Sequence, residues 1–151
     1  MVELVVVMTV VGVLAASIGP RFFTQSIFSD RGYADELAAA LRFAEKAAVM
    51  SGCGARLSLS TSGYVVTQQA GSGNACLTSD TTWSTPVLQP DGSAVAGTAS
   101  TTVASPTGLY TFNDQGQLTS GPGGAVSGVT TLTVGSRAIT IDPVTGAVEV
   151  Q

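Results

Sequence analysis

Three rhythms of apolar and polar residues follow one another along the chain. From Leu4 to Ile18 there is no ionisable side chain, and Val5, Val6, Val7, Val10, Val11 and Val13 would cover every face of a helix. About 18 helical residues rise ~27 Å, close to the ~30 Å hydrocarbon core of a bilayer, so residues 1–20 read as a transmembrane helix. Glu3 is the one charged side chain in that stretch. An acid at the edge of such a span is costly in hydrocarbon unless a positive group meets it. A buried core helix would be shorter or amphipathic. A cleaved secretory signal would suit Ala15-Ala16-Ser17 as its processing site but would need a basic stretch in front, which is missing.

The second rhythm has a period of 3.6. Pro20 removes a backbone donor and predicts a helix kink or a new segment there. Beyond it, Ala34, Leu37, Ala38, Leu41, Ala44 and Ala48 form an apolar stripe bordered by Phe43, Ala47 and Met50, with Asp35, Glu36, Glu45 and Lys46 left for solvent. Residues 21–52 therefore read as an amphipathic continuation of the helix. Ser51-Gly52 supplies the stop, and Ser29 or Asp30 would cap the start if the helix breaks near Phe28.

From Ala55 the period changes to 2. Arg56 to Ser60, a turn at Thr61-Ser62-Gly63, and Tyr64 to Gln69 read as a hairpin with Leu57 and Leu59 on one face. Gly71 to Ala75 and Gln89-Pro-Asp-Gly92 read as turns, and Thr82 to Leu88 as an edge strand interrupted by Pro86. Further strands are expected at Thr101–Ala104, Leu109–Phe112, Thr130–Val134, Ala138–Ile141 and Ala147–Val150, with Gly135-Ser136 suited to a type II′ hairpin turn. The expected fold is α+β: a long N-terminal helix packed on an antiparallel β-sandwich, or two small antiparallel sheets, over residues 53–151.

Several of these stretches resemble a known family. The run Val2-Glu-Leu-Val-Val-Val-Met-Thr-Val-Val-Gly-Val-Leu-Ala-Ala16, followed by Pro20, resembles the N-terminus of type IV pilins and type II secretion pseudopilins. Phe112 to Gly121 and Arg137 to Val150 resemble the GspH/FimT class of minor pilins and pseudopilins. Pro20 to Phe23, Arg31-Gly-Tyr33, Ala40 to Val49 and Ser51-Gly-Cys53 are most similar to minor pilins of mannose-sensitive haemagglutinin-type pili. The resemblance implies that Glu3 neutralises the amino terminus of a neighbouring subunit during filament assembly. It also implies a precursor whose basic leader is removed by a prepilin peptidase, with methylation of the new N-terminus. Met1 stands where the family has Leu, so the precursor is expected to extend upstream.

Composition adds the compartment. The formal net charge is −4, and of six basic residues only Arg137 lies beyond Arg56, so a basic stripe for nucleic acid is not evident. Cys53 and Cys76 are the only cysteines. In an exported chain two thiols more often pair than stay free, giving a structural disulfide, whereas in a cytoplasmic chain both would be buried thiols. Their spacing fits no CxxC redox or zinc pattern.

Catalytic chemistry finds little footing. The chain has no His, which excludes Ser-His and Cys-His arrangements. Asp35 and Glu36 are adjacent on a helix and point about 100° apart, which favours a solvated face over an acid–base pair. Asp142 to Gly146 reads as a hairpin turn rather than a calcium loop, and neither Gly71-Ser-Gly73 nor Gly121-Pro-Gly-Gly124 continues as a phosphate loop. No catalytic, cofactor or metal residues are expected.

Two non-enzymatic readings follow. The first is a structural minor pilin or pseudopilin, held in the inner membrane with a periplasmic domain before it joins other pilins in a type IV pilus or type II secretion pseudopilus. The second is a pilus-tip binding module for DNA or a surface ligand. Ala147 and Glu149 stand where a C-terminal basic pattern would be wanted for DNA, and an acidic domain would repel phosphates.

Overall fold

The apolar stripe of the second segment organises the domain. In the computed structural model, which describes residues 2–18, 25–72, 75–77, 80–99 and 104–151, helix α2 runs from Gln25 to Ser51. Ala34, Leu37, Ala38, Leu41, Ala44 and Ala48 are all fully buried. Four of those six side chains are single methyl groups, so the sheets approach the helix closely, and the two leucines fill the remaining space. Phe43 and Ala47 are half-buried, but Met50 is 86% exposed because it lies about 200° around the helix from the buried Ala48.

The ends of α2 differ in how well local chemistry foretells them. Gly52 takes φ 64°, the left-handed backbone that stops a helix, and the Ser51 hydroxyl donates to the Ala47 carbonyl at 2.7 Å. At the other end the helix does not break at Phe28. Ser29 and Asp30 lie inside it rather than at its cap, since nothing between Gln25 and Tyr33 removes a backbone donor. Pro20, the expected kink, lies outside the described residues. The first helix, α1, spans Val2–Ile18.

The strands then follow in order. They are β1 (Ala55–Ser60), β2 (Gly63–Gln68), β3 (Gly71–Ser72), β4 (Ala75–Cys76), β5 (Thr85–Pro86) and β6 (Ala96–Thr98). After them come β7 (Gly108–Phe112), β8 (Leu118–Gly121), β9 (Gly124–Ala125), β10 (Thr130–Val134), β11 (Arg137–Ile141) and β12 (Val148–Val150). The larger sheet has the order β5-β2-β1-β7-β8-β9, with β6 sharing the outer edge of β2, and every pairing is antiparallel. A second sheet, β10-β11-β12, and the small β3-β4 ribbon complete the fold.

Strand alternation decides which face meets α2. In β1, Ala55, Leu57 and Leu59 are buried while Arg56 and Ser58 are only partly covered, and in β10 and β11 Leu132, Val134, Ile139 and Ile141 are fully buried. Side chains of α2 and of both sheets belong to one hydrophobic core. The architecture is therefore α+β, an N-terminal helix packed on antiparallel β-structure, with a seven-stranded and a three-stranded sheet among the described residues sharing the helix.

Two hairpin turns follow the sequence closely. Gly135, first of the two residues between Val134 and its partner Arg137, has φ 58°, as a type II′ turn requires. Between β11 and β12, the Asp142 carboxylate accepts the amides of Val144 and Thr145 at 2.8 and 3.0 Å, and Gly146 has φ 70°. The Asp142 side chain is thus spent on its own turn. Of the strand expected at 101–104, residues 101–103 lie outside the described residues; Ala104 is buried and Ser105 exchanges backbone bonds with Thr133.

Candidate functional site

Helix α1 carries the most unusual surface of the molecule. Its ten large apolar residues from Val2 to Leu14 are each 52 to 79% exposed. Apolar side chains point in every direction, so no rotation of the helix would hide them in a single contact. A surface of this kind marks a membrane or protein interaction site. Thr9 turns its hydroxyl back to the Val6 carbonyl at 2.8 Å, which removes the one polar side chain between Leu4 and Gly12 from competition for an outside partner. Glu3 sits exposed in the first turn, where the helix dipole favours a carboxylate.

The transmembrane reading does not carry over intact. Among the described residues no helix is long and apolar enough to cross a membrane. The described part of α1 covers 17 residues, a rise of ~25 Å at 1.5 Å per residue.

A second organised region lies where α2 ends. Cys53 and Cys76 form a disulfide with Cα atoms 5.4 Å apart, linking the residue after the helix stop to β4. Beyond it Asp80 holds the next loop. Its Oδ1 accepts the Thr82 amide (2.9 Å), the Thr82 hydroxyl (2.6 Å) and the Trp83 amide (3.1 Å), while Oδ2 accepts the Ala70 amide at 2.9 Å. The Thr82 hydroxyl and then the Ala70 amide are the main reasons its carboxyl is held down at about 2.

Trp83 has φ 52°, and it is the only non-glycine among the described residues with a positive φ. Its ring packs against Gly54, where a Cβ would be only 2.6 Å from Cη2, and the Arg56 guanidinium lies 5.5 Å from the ring centroid. Thr82 and Trp83 are therefore loop, not strand, whereas Thr85–Pro86 pairs with β2, the Val87 amide donates to the Val66 carbonyl of β2, and Leu88 bridges Ala94. The clue available in the sequence is Asp80-Thr-Thr82, a short acid two residues before a hydroxyl, which favours an Asx-type turn.

The pair Asp35 and Glu36 separates in function as well as direction. Both are exposed, yet Glu36 Oε1 accepts the Tyr64 hydroxyl at 2.8 Å, so it is a tether from α2 to β2 rather than part of a purely solvated face. Burial, and then this hydrogen bond to Glu36, push the Tyr64 phenol above its ordinary range. Two of the basic residues are tied down by the same folding. Arg42 binds the Val148 carbonyl, and Arg56 binds the Thr82 carbonyl at 2.5 Å and lies 3.4 Å from the Thr67 hydroxyl.

The sequence profile of the family described as Type II transport protein GspH matches residues 33–146 of this chain. The chain belongs to that family, and it is a pilin-like protein of the GspH/FimT class. The matched stretch begins within α2 and stops before β12, so it covers the domain and not α1. No curated protein and no solved structure matches the chain.

Proposed function

We propose that the chain is a minor pseudopilin or minor pilin that enters a periplasmic filament through α1, with its β-domain displayed outside. The observation that carries this reading is the exposed, all-round apolar surface of α1 attached to a domain of the GspH family. Helices of this kind are soluble only in a bilayer or in a bundle of their own sort, so the inner membrane before assembly and the filament core afterwards are the two environments that suit it. In a filament core an unpaired carboxylate is costly, and the amino terminus of a neighbouring subunit is the natural partner for Glu3. Pro20 would let the apolar helix set its own angle against α2. Removal of a leader by a prepilin peptidase, N-terminal methylation and a place in a pilus of the mannose-sensitive haemagglutinin type rest on the family resemblance alone.

The role is structural rather than catalytic. Binding of nucleic acid gains no support from the fold, since Arg42 and Arg56 are tied to backbone carbonyls and the C-terminal strand presents Glu149. The test is to express the epitope-tagged full-length precursor in cells that make pili or pseudopili and to probe filaments sheared from them. The tagged chain is expected in the sheared fraction. Its confinement to the membrane fraction, in cells whose filaments are otherwise normal, would overturn the reading.

A further inference from the structure

The face of the larger sheet turned away from α2 holds a groove of about 350 Å³ beside the disulfide, bordered by Trp83, Gln69, Thr111, Asn113, Asp114 and Thr119. Its walls are fixed before any ligand arrives. Asp80 sets the Trp83 backbone, and Asn113 Oδ1 accepts the amides of Gln115 and Gln117 at 3.1 and 2.8 Å. The Gln69 Oε1 accepts the Gly54 amide at 3.3 Å, which leaves both Nε2 hydrogens without a partner among the described residues. Asp114 is exposed and its carboxylate has no hydrogen-bond partner among them either.

We propose that this groove binds a neutral saccharide, with a sugar ring lying against Trp83, Asp114 accepting hydrogen bonds from adjacent hydroxyls and Gln69 donating from Nε2. A pyranose combines an apolar C–H face with a rim of hydroxyls that both donate and accept, and an indole beside a carboxylate and an amide answers each of those needs. An anionic ligand is disfavoured because the cation beside Trp83, Arg56, is already committed to Thr82 and Thr67 and the carboxylate of Asp114 would repel it. A purely apolar ligand would bury Asp114 and Gln69 unpaired. The inference is independent of the filament role, since no residue of the groove belongs to α1.

Trp83 is the only tryptophan, so its emission reports on the groove directly. The full-length chain is held in a phosphocholine detergent, because glycoside detergents would compete, and titrated with glucose, galactose, N-acetylglucosamine, N-acetylgalactosamine and glucuronate. At least one neutral sugar should give a saturable change with a dissociation constant of about 1 mM or tighter. Asp114→Asn and Gln69→Ala should each weaken it by about tenfold, the usual worth of a hydrogen bond to a charged or ligand-facing polar group. Both side chains lie outside the core, and matched melting curves would show that the variants are folded. Glu36→Gln, on the α2 side of the domain, should bind as the unaltered chain does. No saturable change with any neutral sugar, equal binding by Asp114→Asn and Gln69→Ala, or tighter binding of glucuronate than of glucose would each overturn the proposal.

Discussion

The guanidinium of Arg42 donates twice to the carbonyl oxygen of Val148, from Nε at 3.2 Å and from Nη2 at 2.8 Å, across 106 residues of chain. Val148 opens β12, the edge strand of the smaller sheet, and its carbonyl points away from β11. Arg42 therefore satisfies an acceptor that the ladder leaves open, and it fastens the end of the chain to α2.

Replacing Arg42 with Ala should lower stability by about 1–2 kcal/mol, in the range for a hydrogen bond to a charged group at a partly covered site. Lys would recover only part of this, because an ammonium cannot reproduce the forked geometry. Guanidinium unfolding of the full chain in detergent, followed by circular dichroism, measures the difference. Equal midpoints for the Arg42→Ala variant and the unaltered chain would show that the contact adds nothing.

A second contact joins the helix to the larger sheet at Gly97. A Cβ there would run into both the Glu36 carboxylate and the Tyr64 ring, which are themselves hydrogen-bonded at 2.8 Å. Gly97→Ala should cost about 1–3 kcal/mol through overpacking. Gly128→Ala, at a position with open space around it, should be silent by comparison. Thermal melts of the two variants side by side decide the matter, and equal losses would refute the close approach.

The Cys53–Cys76 bridge spans 23 residues, for which loop-closure entropy gives a stabilisation of about 3 kcal/mol. A Cys53→Ser, Cys76→Ser double variant should unfold at correspondingly lower denaturant. Denaturing the unaltered exported protein without reductant should expose no thiol to alkylation. Quantitative labelling of both cysteines would remove the bridge and with it the argument for an oxidising compartment.

The loop that follows the bridge should respond to acid. Asp80 is held at about 2 against an ordinary 3.8, chiefly by the Thr82 hydroxyl and the Ala70 amide. Because its folded value is depressed, the stability it contributes is present above pH 3.8 and is lost as pH falls toward 2. Asp142 is lowered in the same direction by the Thr145 and Val144 amides, and Asp91 by the Ser93 hydroxyl and amide. Asp80→Asn should flatten the fall in melting temperature through that acid window and leave the slope near neutral pH unchanged. An unaltered acid slope would mean that the carboxylate network does not hold in solution.

How much of this was legible in the chain depends on the range of the interaction. The stripe from Ala34 to Ala48, the turn expected at Thr61-Ser62-Gly63 and found at Thr61-Ser62, and the β10–β11 hairpin are written in local periodicity and turn chemistry. Strands β6 and β8 were not legible, since Ala96-Gly-Thr98 and Leu118-Thr-Ser-Gly121 carry too few apolar residues to show alternation and exist because a neighbouring strand offers them a ladder. The Glu36–Tyr64 and Arg42–Val148 contacts are invisible for a related reason. A charged residue on a helix looks solvated until the sheet that meets it is known. Glu3 was the most visible charge of all, yet the partner proposed for it lies in another molecule, so neither the periodicity nor the fold of one chain supplies it.

The measurement that bears most directly on the account is the incorporation of a Glu3→Ala variant into filaments, made from the full-length precursor at membrane levels matched to the unaltered protein. Melting of the β-domain should be unchanged, since Glu3 is exposed on α1 and outside the core. The variant's share of sheared filaments should fall, and the number of filaments per cell should fall with it if this subunit initiates assembly. Wild-type values for both quantities would contradict the pairing role proposed for Glu3 and leave α1 as an anchor only.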